Sequence, residues 1–122
     1  MSMNLYVSGQ RSATVTVKGK TKQIKDTTVF DLLQTPTALT RQVMALPSIE
    51  QKVEAYCKWA ADAMLPYEED IVDYDGAPPN VYFDYPIIGT KMVDPSAEHV
   101  AAFRAWIQFC EDEDYVVDFA EG

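Results

Sequence analysis

Two prolines, Pro47 and Pro66, bracket the stretch that most limits how this chain can fold. Between them Ile49, Val53, Tyr56, Ala60 and Met64 recur three or four residues apart, which marks one apolar stripe of an amphipathic helix over Pro47–Leu65. Ser48 can accept an amide of the first turn, with Gln51 three residues on as its reciprocal partner. Pro66 stops the helix, because it has no N–H to continue the ladder.

A second helix is expected from Asp94-Pro95, an N-cap followed by proline at the first helical position. It runs through Cys110 and carries Val100, Phe103 and Ile107 on one face. Val53–Trp59 and Val100–Trp106 share the pattern Val-x-Ala-aromatic-x-x-Trp. Helix-start chemistry and ordinary core spacing account for much of that likeness. It argues for two helices with matching aromatic faces on one sheet, not for a duplicated unit. The expected core is Val53, Tyr56, Ala60, Val100, Phe103 and Ile107, set against a sheet that includes Val15, Val17 and Val117.

Strands supply that sheet. Leu5 and Val7, then Ala13, Val15 and Val17, alternate with polar positions, and Ser8–Arg11 reads as the turn of a hairpin. Gly19 allows a second reversal into a strand over Thr21–Lys25. Lys18, Lys20, Lys22 and Lys25 read as guards of an exposed edge strand, or as a contact for phosphates or an acidic protein. Thr27-Thr28 can cap a short helix through Leu33, and Thr37 can begin another through Leu46. Tyr67–Asn80 reads as an acidic loop, Val81–Gly89 as a strand limited by Pro86, and Tyr115–Phe119 as a short final strand. The fold class is therefore α+β: a small, mostly antiparallel sheet, made of an N-terminal hairpin or meander and two C-terminal strands, packed on two main amphipathic helices.

A chain of 122 residues, 48% hydrophobic, with seven prolines and five glycines, reads as one domain over 1–122 with a core of its own. No run is long enough to cross a bilayer and the start lacks a signal-peptide pattern, so the expected location is cytoplasmic. Cys57 and Cys110 fall on helices beside aromatics and read as buried free thiols.

The net charge of −9 is unevenly placed. Residues 1–66 carry eight Lys and Arg against five Asp and Glu, a net +3, whereas residues 67–122 carry two against fourteen, a net −12. That imbalance disfavours direct nucleic-acid binding and favours a basic partner for the second half.

Catalytic signatures are missing. His99, the one histidine, stands beside Glu98 early in the last helix and reads as a surface residue. The sequence has no nucleophile elbow, Gly-rich phosphate loop or zinc-ligand spacing, so no enzyme, no cofactor and no metal is expected. Asp73-Tyr74-Asp75-Gly76 is similar to the middle of a calcium loop, but Ile71 falls where its first acid belongs and Tyr82 where its closing glutamate belongs.

What remains is the acidic surface. Glu68, Glu69, Asp70, Asp73 and Asp75 cluster, and Tyr67, Tyr74, Tyr82 and Tyr85 interleave with them. Carboxylates can steer a basic partner while tyrosines supply contact area. A second acidic run, Glu111–Asp114, reads as a solvated connection. The expectation is a non-enzymatic binding protein that sets this surface against a basic protein, such as a nucleic-acid-binding one. In general style, short, acidic and aromatic-rich, the chain resembles small phage or mobile-element proteins that inhibit host nucleases or other defence factors. Some of these imitate nucleic acid. The rival readings are an assembly factor such as a phage morphogenesis chaperone, and a small-molecule binder with a pocket between the aromatic helices.

Overall fold

The computed structural model describes residues 3–75 and 85–122. In chain order these form β1 (Leu5–Val17), β2 (Lys20–Phe30), α1 (Thr37–Met44), α2 (Ile49–Ala60), β3 (Tyr67–Val72), β4 (Ile87–Val93), α3 (Pro95–Asp112) and β5 (Val116–Glu121). The architecture is α+β, with an antiparallel sheet in the order β2-β1-β5 and a separate two-stranded ribbon, β3-β4.

Strands β1 and β2 make one long hairpin closed at Lys18 and Gly19, whose φ angles of 52° and 74° are both left-handed. That two-residue geometry matches the natural twist of paired strands. The reversal expected at Gly19 is therefore present, but the one expected at Ser8–Arg11 is not: Gly9 lies inside β1. Close packing explains why a glycine stands there. A Cβ on Gly9 would sit 3.1 Å from Cys110 Sγ, Thr28 Cγ2 and Tyr115 Cβ. The short helix expected after Thr27 is also a strand, since Thr27–Phe30 pair with Val7–Gln10. Thr27, Thr28 and Val29 are β-branched and suit a pleated surface better than a helix.

The helices form where local chemistry places them. In α2 the Ser48 hydroxyl accepts the Gln51 N–H at 3.1 Å, and in α3 Asp94 accepts the Ala97 N–H at the same distance. Helix α2 ends at Ala60, short of the expected Leu65. Lys52 reaches back from α2 to the carbonyls of Val43, Met44 and Leu46 at 3.2, 2.8 and 2.6 Å, which satisfies the open end of α1. A buried relay fixes the other end of α1. Leu5 N–H donates to Thr35 Oγ1, Thr35 and Thr40 hydroxyls meet at 2.6 Å, and Thr40 donates to the Met3 carbonyl.

Alternation along β1 turns Leu5, Val7 and Gly9 inward, where Val7 lies between Phe30 and Phe119 on the neighbouring strands. Val43, Val53, Tyr56, Cys57, Ala60 and Phe103 complete the buried cluster. Tyr56 and Phe103, the equivalent aromatics of the two similar helices, are both fully buried and meet edge to face at 5.3 Å. Val15, Val100, Ile107 and Val117 are half-buried. Val17 does not join the core: it is 57% exposed at the hairpin tip. Cys57 and Cys110 are buried free thiols, as expected, and burial raises the pKa of both. No helix among the described residues is long and apolar enough to cross a membrane.

Candidate functional site: the acidic ribbon

The segment expected as a loop over Tyr67–Asn80 opens as a strand, and its residues 76–80 lie outside the described residues. Tyr67–Val72 is β3, paired antiparallel with β4 from Tyr67↔Val93 to Val72↔Ile87, with a bulge after Ile71. Strand β4 begins after Pro86 and runs past the expected end at Gly89 to Val93. The Val81–Asp84 part of the expected strand, and with it Tyr82, lies outside the described residues.

Strand geometry divides the carboxylates. Successive side chains point to opposite faces, and directly paired residues share a face. Glu68 and Asp70 therefore share one face with Met92, Thr90, Val72 and Ile87. Glu69 lies on the other with Tyr67, Ile71 and Lys91, and its carboxylate is 3.7 Å from Lys91 Nζ. So the acidic run does not present a single carboxylate surface. Glu68 and Asp70 make no ion pair among the described residues.

Beyond β3 the ribbon is held by the Asp73 N–H, which donates to the Pro86 carbonyl at 2.9 Å. The Asp75 N–H donates back to Asp73 Oδ1 at 3.1 Å, a local turn of the kind aspartate favours. The Tyr74 and Tyr85 rings meet edge to face at 4.8 Å just beyond the paired strands. The structure thus brings Tyr67, Glu68, Glu69, Asp70, Asp73, Tyr74, Asp75 and Tyr85 onto one ribbon.

Sequence reading missed the apolar half of this surface. Ile87, Ile88 and Met92 are each more than 60% exposed, and Leu65 at the approach to β3 is 85% exposed. Among the described residues, eight of the fourteen exposed large hydrophobic side chains lie between Leu65 and Met92, so exposure is concentrated here. The run Ile87-Ile88-Gly89 was legible, but its exposure was not.

The root of the ribbon is clasped. Ser96, fully buried at the start of α3, accepts the Met64 N–H at 2.7 Å and donates to the Met64 carbonyl at 3.1 Å. The chain entering β3 is thereby joined to the chain leaving β4.

Comparison with protein-family models, curated proteins and solved structures finds no match. The chemistry of the surface itself must carry the functional reading.

Groups with catalytic potential are engaged elsewhere. His99 is half-buried, not a free surface residue. Its Nε2 is 2.7 Å from the Tyr56 hydroxyl, and Phe30 packs against its ring. The Tyr56 oxygen accepts the Leu33 N–H at 2.9 Å, which leaves its own proton to donate to His99. Burial lowers the pKa of His99 and pushes that of Tyr56 up to about 12, consistent with a neutral pair.

The second acidic run also has structural work. Arg11 stacks over the Tyr115 ring at 4.3 Å and donates to Asp26, the Glu113 carbonyl and the Glu113 carboxylate. Tyr115 donates to Asp26 at 2.8 Å, and this bond together with Arg11 lowers the Asp26 pKa. Glu113 is thus part of a network joining the hairpin to the end of α3. An open cavity of about 300 Å³ lies on the uncovered sheet face, lined in part by Tyr6, Val29 and Asp118. It is not between the aromatic helices, where Tyr56 and Phe103 fill the space.

Proposed function

We propose that this protein is a non-enzymatic binding protein whose β3–β4 ribbon docks on a basic protein surface. The observation that carries the reading is the co-location of Glu68 and Asp70, which make no ion pair among the described residues, with exposed Met92 and Ile87 on one face of the ribbon. A two-stranded ribbon gains little stability in water by itself, and exposed apolar side chains on one favour a partner that covers them. The carboxylates would steer approach, and the apolar and tyrosine side chains would slow dissociation. Apolar groups beside the acids favour a protein contact over imitation of a phosphate backbone. Inhibition of a basic, nucleic-acid-binding host factor is one activity such a contact would serve. The engagement of His99 with Tyr56, and the burial of both thiols, supports the non-enzymatic part of the reading.

The test is site-specific photo-crosslinking in the native host. A photo-reactive side chain at Met92 should capture a discrete basic protein, and one at Gln51 on the exposed face of α2 should not. Glu68→Gln with Asp70→Asn should reduce capture and slow association. Capture from Gln51 alone, or capture indifferent to the two neutralisations, would reject the ribbon as the binding surface.

A further inference from the structure

The basic hairpin carries a second unpartnered surface. Strand β5 pairs only with Leu5–Gln10, so Arg11–Val17 and Lys20–Asp26 run on as a two-stranded arm. Register places Lys20 opposite Val17, Lys22 opposite Val15, and Ile24 opposite Ala13, all on the face that lower down turns into the core. Val17 is 57% and Ile24 40% exposed. Neither Lys20 nor Lys22 makes an ion pair among the described residues.

This face is the counterpart of the ribbon face. Lys20 and Lys22 are two residues apart on one strand, as are Glu68 and Asp70, which sets each pair roughly 6.6 Å apart. Beside the lysines stand Val17 and Val15; beside the acids stand Met92 and, one rung from Asp70, Val72 and Ile87. Two ribbons laid face to face can therefore match charge with charge and apolar with apolar. Among the described residues these lysines and acids form no ion pair within one chain.

We propose that the occupant of each face is a second copy of this chain, with the Lys20/Lys22 face of one copy seated on the Glu68/Asp70 face of the other. This rests on the reading of the ribbon as a binding surface, and the basic hairpin of a second copy would occupy it in competition with a heterologous basic protein. In the proposed pair a two-fold axis relates the two contacts, the arrangement that closes a head-to-tail interface instead of growing a filament. Exposed ion pairs contribute little affinity singly, and the apolar rungs supply the rest. Charge sets orientation and makes the pair sensitive to salt.

The decisive experiment is sedimentation velocity on the full chain. Wild type should be a dimer at about 100 µM and low salt, and its dissociation constant should rise at least about tenfold at roughly 0.5 M salt, where screening reaches a few ångströms. Lys20→Glu with Lys22→Glu should be monomeric, as should Glu68→Lys with Asp70→Lys. All four residues are exposed strand positions, and circular dichroism would verify folding. An equimolar mixture of the two variants should recover a dimer, because the reversed hairpin of one then meets the reversed ribbon of the other and the two unreversed faces also match. A monomeric wild type at low salt would overturn the proposal, as would a dimer indifferent to both reversals or a mixture that stays monomeric. The outcomes separate from those for function. A monomeric wild type that still shows ribbon-dependent capture loses only self-docking. A dimer that restores on mixing but captures nothing loses only the heterologous partner.

Discussion

Replacing Ser96 by Ala tests how the ribbon is held to the body. One hydroxyl makes two hydrogen bonds there, accepting the Met64 N–H at 2.7 Å and donating to its carbonyl at 3.1 Å. The alanine keeps the volume nearly unchanged, so the cost is almost wholly polar. Each bond contributes about 1 kcal/mol net, and a donor left unsatisfied costs about 1–3 kcal/mol. Met64 is only partly buried, so water can replace part of what is lost. The expected loss is therefore about 1–3 kcal/mol of stability in chemical denaturation. Because the clasp joins the two ends of the ribbon, protection of the Met64 amide should fall by about ten- to a hundredfold in hydrogen exchange, with smaller changes in β1. Unchanged exchange at Met64, or stability within about 0.3 kcal/mol of wild type, would refute the clasp.

Other substitutions test the core. Phe103→Ala, at a fully buried ring against Tyr56 and Phe30, should cost about 3–5 kcal/mol by denaturation. Gly9→Ala should cost about 1–3 kcal/mol, because the new methyl meets the Tyr115 Cβ, which is fixed to the backbone. Stability should fall as pH drops below about 6.5, where unfolded His99 binds a proton, and should go on falling until the lower folded pKa is passed. A His99→Gln chain should lose that slope just below about pH 6.5, because this is the one histidine. An unchanged slope would show that His99 is not neutral in the fold.

Some features were set by residues within one helical turn of each other. Ser48 with Gln51, Asp94 with Pro95, and Gly19 after Lys18 each satisfy or shape backbone that lies within four residues, so sequence alone determined where α2 and α3 begin and where the hairpin reverses. The aromatic stripes of both helices were legible for the same reason, but the edge-to-face meeting of Tyr56 with Phe103 was decided by the packing of the two helices. Pairing across the chain was decided only by the tertiary structure. Gly9 could as well have turned; it lies in a strand because Thr28 and Val117 pair with it, and it is glycine because Cys110 and Tyr115 leave no room for a side chain. Thr27–Phe30 could have begun a helix, and Val7–Gln10 held them extended. Tyr67–Val72 has adjacent acids and no clean alternation, so its strand exists only through β4, beyond a bulge and the 73–86 connection. Local chemistry acts through bonds that close within a turn, whereas a ladder takes its partners from distant residues. That is why the acids were visible from the start while their division between two faces, and the apolar side chains beside them, were not.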